Sequence, residues 1–283
     1  VSDPEGLVLA DKPAGMTSHD VVDVVRRRLG TRKVGHAGTL DPMATGLLVL
    51  GVGRATRLLR FLGALPKTYE GTARLGVETT TLDADGEVTY ERPVSATDTQ
   101  IRSAMASLVG GSMQRPPAFS AVKVGGRKLY EAARRGEILE APLRPIHVDA
   151  FELAAFRGSD ADFRVTCSGG TYVRVLLADV GTALGCGAHL TALRRTAIGA
   201  LEATDAVEPA LTDADSLLPL ERAVGHLPRL DLSPDEAIAA SHGRMLGPAG
   251  FTEPYAVFGP ENRLIGVYED DGPRSLPRVI LAR

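Results

Sequence analysis

The chain of 283 residues has only 2 cysteines and 6 histidines. Cys167 and Cys186 do not form a metal-type pair and the histidines are scattered, so no zinc site is indicated. Such sparing use of cysteine fits a reducing compartment. No stretch approaches the roughly 18 apolar residues that a membrane-spanning helix needs. The N-terminal stretch, with Asp3, Glu5 and Asp11, lacks the basic-then-apolar pattern of a signal peptide. The expectation is a cytoplasmic protein with no membrane partner. A Walker-type phosphate loop is missing. Gly51-Val52-Gly53-Arg54-Ala55-Thr56 starts like a dinucleotide fingerprint, but Thr56 stands where glycine or alanine is wanted. A positive charge balance is missing as well: the net charge of −3 argues, at first, against a polyanionic partner.

That average conceals a division. Residues 1 to 199 carry 25 Lys+Arg against 21 Asp+Glu, a balance of +4, whereas residues 200 to 283 carry 7 against 14, a balance of −7. Within the first part, Arg115, Lys123, Arg127, Lys128, Arg134 and Arg135 face only Glu131, and a second basic run comprises Arg26, Arg27, Arg28, Arg32 and Lys33. Clusters of this kind suit phosphate contacts, although many are simply solvated faces. With 44% hydrophobic and 24% charged residues, the chain can bury a substantial core, and its length suggests one large domain plus a small one.

After a short strand at Leu7-Val8-Leu9, Thr17 and Asp20 form a capping-box pattern. Val21, Val22, Val24, Val25 and Leu29 then follow at helical spacing, and Gly30 is placed to end the helix. Leu47 to Val52 reads as a strand, followed by a short helix through Arg54 to Leu62. Tyr69 to Val77 reads as a strand and Glu87 to Tyr90 as part of a hairpin. Residues 97 to 109 look helical, and a basic segment of about 110–136 ends in another helix near Gly136. Phe163 to Cys167 reads as a strand. Val173, Leu176, Leu177, Val180 and Leu184 then make a buried helical stripe, with Arg174 one position off it in the opening turn. Beyond about residue 228 a short helix runs to Ala240. Strands are expected at Tyr255 to Phe258, Leu264 to Tyr268 and Pro277 to Leu281.

The most informative stretch is Gly35-His36-Ala37-Gly38-Thr39-Leu40-Asp41, running into Pro42-Met43-Ala44-Thr45-Gly46. It sets one carboxylate in a turn of small residues, where backbone and carboxylate can approach a flat ligand. Pro42 restricts Asp41 to extended geometry and re-aims its side chain. Other stretches follow in order. They are Lys12-Pro13-Ala14-Gly15-Met16-Thr17-Ser18, Lys67-Thr68-Tyr69-Glu70 and Thr80-Thr81-Leu82-Asp83-Ala84-Asp85-Gly86. Later come Arg115-Pro116-Pro117-Ala118-Phe119-Ser120-Ala121-Val122-Lys123, Cys167 to Arg174 and His189 to Thr196. Together they resemble the TruB family of pseudouridine synthases, the bacterial tRNA pseudouridine-55 synthases, over roughly residues 7 to 196.

The resemblance implies an α+β pseudouridine synthase fold: a mixed, largely antiparallel central sheet flanked by helices and loops. Residues 1–228 would form the catalytic domain, carrying an RNA-binding insertion at about 110–136, and residues 229–283 a small β-rich PUA-like domain. It implies isomerisation of a uridine in the T-loop of tRNA to pseudouridine. Asp41 would be the nucleophile, Arg174 its ionic partner and Tyr69 the aromatic that stacks on a flipped-out base. An arginine so placed is expected to lower the pKa of Asp41. His36, Tyr172, Leu193, Lys12, Arg115, Lys123, Arg127 and Lys128 would contact the substrate or its RNA. The reaction needs no redox change and no transferred group, so no cofactor and no metal are expected, and the protein is expected to act as a monomer on the tRNA T-arm. Attack at C1′, attack at C6 and removal of a sugar proton all remain open. A non-catalytic tRNA-binding chaperone, or a synthase acting on another RNA, would use the same scaffold.

Overall fold

The computed structural model describes residues 3–281 except 121, 134 and 138, together with the backbone but not the side chain of Lys128. The chain opens with β1 (Gly6–Lys12), α1 (Ser18–Leu29), β2 (Val34–His36), β3 (Thr45–Val52), a 3-10 turn at Gly53–Arg57 and α2 (Leu59–Gly63). It continues through β4 (Lys67–Leu75), β5 (Val77–Thr79), β6 (Val88–Glu91), α3 (Asp98–Ala106) and β7 (Gly110–Gln114). Then come β8 (Lys123–Val124), β9 (Arg127–Lys128), α4 (Leu129–Ala133), β10 (Arg144–Arg157), β11 (Asp160–Cys167), α5 (Val173–Ala183), β12 (Ala188–Ile198) and β13 (Leu201–Glu202). The last part holds β14 (Arg229–Asp231), α6 (Pro234–Ser241), β15 (Tyr255–Gly259), β16 (Arg263–Asp271) and β17 (Arg274–Ile280).

The large sheet runs in the order β1-β3-β12-β4-β11-β10-β7, with β2 against β3 and β13 against β12. Its pairings are antiparallel except for β12 on β3, which is parallel. The mixed, largely antiparallel sheet expected from the sequence is therefore present. Its core lies in three apolar groups. Val21, Val22 and Val25 of α1 pack on Val8, Leu48 and Leu50. Helices α3 and α5 cover β4, β10, β11 and β12 through Ile101, Met105, Leu176, Leu177 and Val180. On the other face of β1 and β3, Leu7, Leu9, Leu47 and Val49 join Leu58 and Leu62.

Helix α1 forms as its sequence predicts. Thr17 and Asp20 make the reciprocal cap, and Gly30 ends the helix in the left-handed conformation at φ 63°. The two longest strands, β10 and β12, are not legible in the sequence. β10 carries bulges between Val148 and Ala150 and between Leu153 and Ala155, and β12 carries them between Leu190 and Ala192 and between Arg195 and Ala197. Each bulge resets the in-out alternation on which strand recognition rests. The helix expected up to Gly136 is the five-residue α4, and that expected to residue 109 stops at Ala106.

The C-terminal strands form their own sheet, β14-β15-β16-β17. Ala256, Phe258, Leu264, Val267 and Val279 share an apolar core with Leu7, Leu9 and Leu58 of the large unit. Arg54, Arg57 and Arg60 donate to the backbone carbonyls of Leu281, Ile280 and Arg278. Among the described residues no helix is long and apolar enough to cross a membrane.

Candidate active site

Asp41 lies in the loop between β2 and β3, and the Lys12–Ser18 motif fixes that loop. Lys12 is fully buried, and its ammonium donates to the carbonyls of Pro13 (2.9 Å), Met16 (2.6 Å) and Pro42 (3.1 Å). The Gly15 amide donates to the same Pro42 carbonyl at 2.8 Å. Ser18 Oγ accepts from the Leu40 amide at 2.8 Å. Residues on both sides of Asp41 are thus tied to the start of α1. Lys12 was expected among the RNA contacts; that expectation is corrected, because its donors are committed to backbone carbonyls inside the protein. Burial holds its pKa down at about 8. Gly46, at φ 98°, lets β3 press against β12: a Cβ there would stand 2.3 Å from the Arg195 carbonyl oxygen.

Arg174, in the first turn of α5, is 3% exposed and joins three loops. Its Nη2 donates to Asp41 Oδ1 at 3.3 Å and to the Phe119 carbonyl at 3.1 Å, and its Nη1 donates to the Thr81 carbonyl at 2.8 Å. Nε lies 2.9 Å from Asp41 Oδ2 as a charge contact, its N–H not aligned on the oxygen. A second carboxylate, Asp83, stands 3.1 Å from Nη1. Asp83 is buried and held by Thr81 Oγ1 and the Asp85 amide. Leu82, just before it, adopts a left-handed φ of 64°, a strained state for a leucine that turns Asp83 inward. Asp83 lay within a motif that the sequence singled out, but nothing local marked it as the second partner of Arg174.

The pairing pulls the pKa of Asp41 down, as the sequence predicts, but it does not set the net direction. Burial favours the neutral acid and raises the pKa, Arg174 offsets that only in part, and the Asp83 charge adds to the rise.

Asp41 and Arg174 line a cavity of about 250 Å³ together with Tyr69, Tyr172, Leu193 and Arg195. Tyr69 on β4 lies directly opposite Arg195 on β12. Burial raises the pKa of the Tyr69 phenol, although Arg195 opposes this, so it is un-ionised at neutral pH. Gln114 holds Tyr172 at the start of α5, accepting from its amide at 2.8 Å and donating to its carbonyl at 3.1 Å. Lys67, also on the wall, donates to the carbonyls of Gly63 and Leu65, and burial brings its pKa down to about 8. Arg144 reaches the wall from the exposed start of β10. Asp83, Lys67, Gln114, Arg144 and Arg195 were all missed as site residues, because their roles arise only when distant loops and strands meet.

His36 stands at the end of β2, outside the cavity wall and half-buried. Burial, and secondarily Arg195, lowers its pKa, which leaves the ring neutral. Among the described residues of the basic segment, only Ser120 lines the wall, and the adjacent Phe119 carbonyl meets Arg174. Elsewhere in the segment, Arg115 donates to the Ala141 carbonyl at 2.6 Å and pairs with Glu140, Arg127 pairs with Glu137, and Lys123 is exposed. The Lys128 side chain and Arg134 lie outside the described residues. Among the described residues no group of three or more His, Cys, Asp or Glu is arranged to hold a metal ion.

The sequence matches three family descriptions in succession. These are TruB family pseudouridylate synthase (N-terminal domain) over residues 26–173, tRNA pseudouridylate synthase B C-terminal domain over 174–224, and tRNA pseudouridine synthase II, C-terminal, over 227–281. It is 49% identical to a tRNA pseudouridine synthase B of Mycobacterium sp. (strain KMS), covering 98% of this chain and 96% of that protein. Identity to the protein of the same description from Thermobifida fusca (strain YX) is 46%, over 98% of this chain and 99% of the other. Among solved structures, one of a Cbf5-Nop10-Gar1 complex superposes with a TM-score of 0.76 at 25% identity, over 98% of this chain and 84% of that chain. An H/ACA RNP bound to a substrate RNA containing 2'-deoxyuridine superposes at 0.74 and 23% identity, over 97% and 84%, and shares the fold.

Proposed function

The chain belongs to the TruB family of pseudouridine synthases, and on that premise we propose that it isomerises the uridine at position 55, in the T-loop of tRNA, to pseudouridine. The enzyme is an isomerase. Asp41 is the nucleophile, Arg174 its ionic partner, and Tyr69 and Leu193 the apolar walls between which the base is held. The observation that carries this reading is the buried Arg174 guanidinium on Asp41, in a cavity that also offers Tyr69 and Leu193. Simple RNA binding would not require a buried, raised-pKa carboxylate beside a slot of this kind.

The chemistry follows from those parts. The glycosidic C–N bond breaks, the pyrimidine turns, and its C5 bonds to the sugar C1′. Atoms and oxidation level are unchanged, so neither a cofactor nor a metal is needed. Asp41 acts on C1′, on C6 or on a sugar proton. The partly closed cavity keeps water from the intermediate. Flipping the nucleotide out of the folded tRNA costs a few kcal/mol, offset by stacking and phosphate contacts. Those contacts are assigned to His36, Tyr172, Arg115, Lys123, Arg127 and Lys128, with Arg144 at the mouth of the cavity. Residues 1–228 are read as the catalytic domain and 229–283 as a PUA-like domain, in a monomeric enzyme of the cytoplasm that grips the tRNA T-arm.

The decisive measurement is release of tritium from uridine labelled at C5 in an unmodified tRNA transcript. Wild-type protein is expected to release it in proportion to pseudouridine formed, and Asp41→Asn to release none. Release by both proteins would remove Asp41 from the chemistry. Strong tRNA binding without release by wild type would favour a chaperone.

A further inference from the structure

Two buried polar atoms on the wall of the Asp41 cavity, Arg195 Nη1 and Ser120 Oγ, make no well-aligned hydrogen bond among the described residues, although the Arg195 guanidinium also lies against the Tyr69 phenol. Arg195 is wholly buried; its Nε donates to the Leu47 carbonyl at 2.7 Å and its Nη2 to the Gly38 carbonyl at 3.1 Å. Its Nη1 makes no well-aligned hydrogen bond among the described residues, and neither does the buried hydroxyl of Ser120. Both residues line the cavity that Asp41 and Tyr69 line. A guanidinium removed from water ordinarily has a carboxylate beside it, because an uncompensated buried charge is costly. Around Arg195 the titratable neighbours are Lys12, Lys67, His36 and the Tyr69 phenol, and no carboxylate pairs with it among the described residues. The site therefore holds excess positive charge and free donors where a planar ring would lie.

Resting on the reading of this cavity as a uridine isomerase site, we propose that Arg195 Nη1, assisted by Ser120 Oγ, donates to the carbonyl oxygens of the detached pyrimidine and stabilises its negative charge. When the C1′–N1 bond breaks, its electron pair stays on the ring and spreads from N1 to O2 and O4. C5 of the turned ring then bonds to C1′, the proton on C5 is released, and N1 takes up a proton. The product has the atoms and oxidation level of the substrate. Charge on the carbonyl oxygens is greatest while the ring is free, so a donor that contacts them there lowers the barrier more than it strengthens ground-state binding. Donors already fixed and unpartnered need no reorganisation at that moment. Arg195 suits the role by its position, facing Tyr69 across the β4–β12 pairing, with Leu193 two residues before it on the same strand. Arg174, by contrast, is occupied by two carboxylates and two carbonyls.

The test compares leaving groups. Single-turnover cleavage of the glycosidic bond is followed in tRNA transcripts carrying uridine or 5-fluorouridine at the target, for wild type, Arg195→Gln and Ser120→Ala. Fluorine acidifies the pyrimidine, which then departs with less help. Arg195→Gln is expected to lose about 10²–10³-fold on uridine, the range for removal of one preorganised oxyanion donor. Its loss on 5-fluorouridine is expected to be at least about tenfold smaller, and Ser120→Ala to show the same contrast from a smaller loss. Equal losses on the two substrates would show that Arg195 merely holds Gly38 and Leu47 in place, and would overturn the proposal. If Arg195→Gln does not fold, Ser120→Ala decides together with a crystal structure of wild type bound to the fluorinated tRNA. Arg195 Nη1 is expected there within about 3.2 Å of a pyrimidine oxygen, and both carbonyls bonded elsewhere would overturn it. Wild type inactive on both substrates is a separate outcome that removes the isomerase reading itself.

Discussion

Asp41 is subject to opposed influences, and their balance sets the pH at which it ionises. Burial disfavours its charge, Arg174 favours it, and the first prevails, so the carboxyl titrates above the ordinary 3.8. Catalysis by the ionised form must therefore fail, as pH falls, at a higher pH than for a solvated aspartate. The acid limb of kcat/KM is expected above pH 3.8, and Arg174→Met, by removing the opposing influence, should move it higher still. A pH–rate profile of each protein checks this; an unmoved limb would mean that the limb belongs to another group. Lys12 gives a second residue-level prediction. Lys12→Met would take the ammonium donor from the carbonyls of Pro13 and Met16 and leave Pro42 with the Gly15 amide alone, at a cost of about 2 kcal/mol of stability, measurable by urea denaturation. A change within about 0.5 kcal/mol would show that the loop does not depend on this ammonium.

Among the elements, β4 and β12 matter most, because their pairing puts Tyr69, Leu193 and Arg195 beside one another. Neither Leu193 nor Arg195 could be assigned to a strand in advance. β12 is central and covered over much of its length, and its two bulges break the alternation that identifies a half-exposed strand. The α1 start was legible because a cap depends on residues three apart, Thr17 and Asp20. The basic segment offers the prediction at this scale. Lys123 and Arg127, both exposed, lie on β8 and β9, a two-stranded ribbon, and the Arg127–Glu137 pair is a surface one of small worth. Lys123→Glu with Arg127→Glu is expected to weaken tRNA binding and to flatten the dependence of log K on log salt by about 1–2. An unchanged slope would place the ribbon outside the interface.

At the scale of the whole molecule, the C-terminal sheet packs on the large unit through a shared apolar core. Phe258 and Val267 share a core with Leu7 and Leu9, and the arginines at 54, 57 and 60 bind carbonyls at the end of the final strand and just beyond it. Units joined by an apolar interface of this kind unfold together. Calorimetry of the full chain is expected to give one transition, and Phe258→Ala to lower it as a whole. Two separated transitions, with only one moved by Phe258→Ala, would show that the parts fold independently. Residues 229–283 carry 6 Lys+Arg against 8 Asp+Glu, a balance of −2, so most of the acidic excess beyond residue 199 lies in residues 200–228, with 1 against 6, and not in the C-terminal sheet.

Order and type of the motifs, the capped helix α1, the apolar stripe of α5 and the membership of Asp41, Tyr69 and Arg174 in one site could all be read from the sequence. Each depends on short-range spacing or on a match carried by contiguous residues. The sign of the Asp41 shift, the inward commitment of Lys12, the second carboxylate at Asp83 and the unpaired Nη1 of Arg195 were decided only by the tertiary structure. Burial and charge balance at a point are sums over segments far apart in the chain: Asp41 meets a helix 133 residues later, and no local pattern encodes which of burial or charge will prevail there.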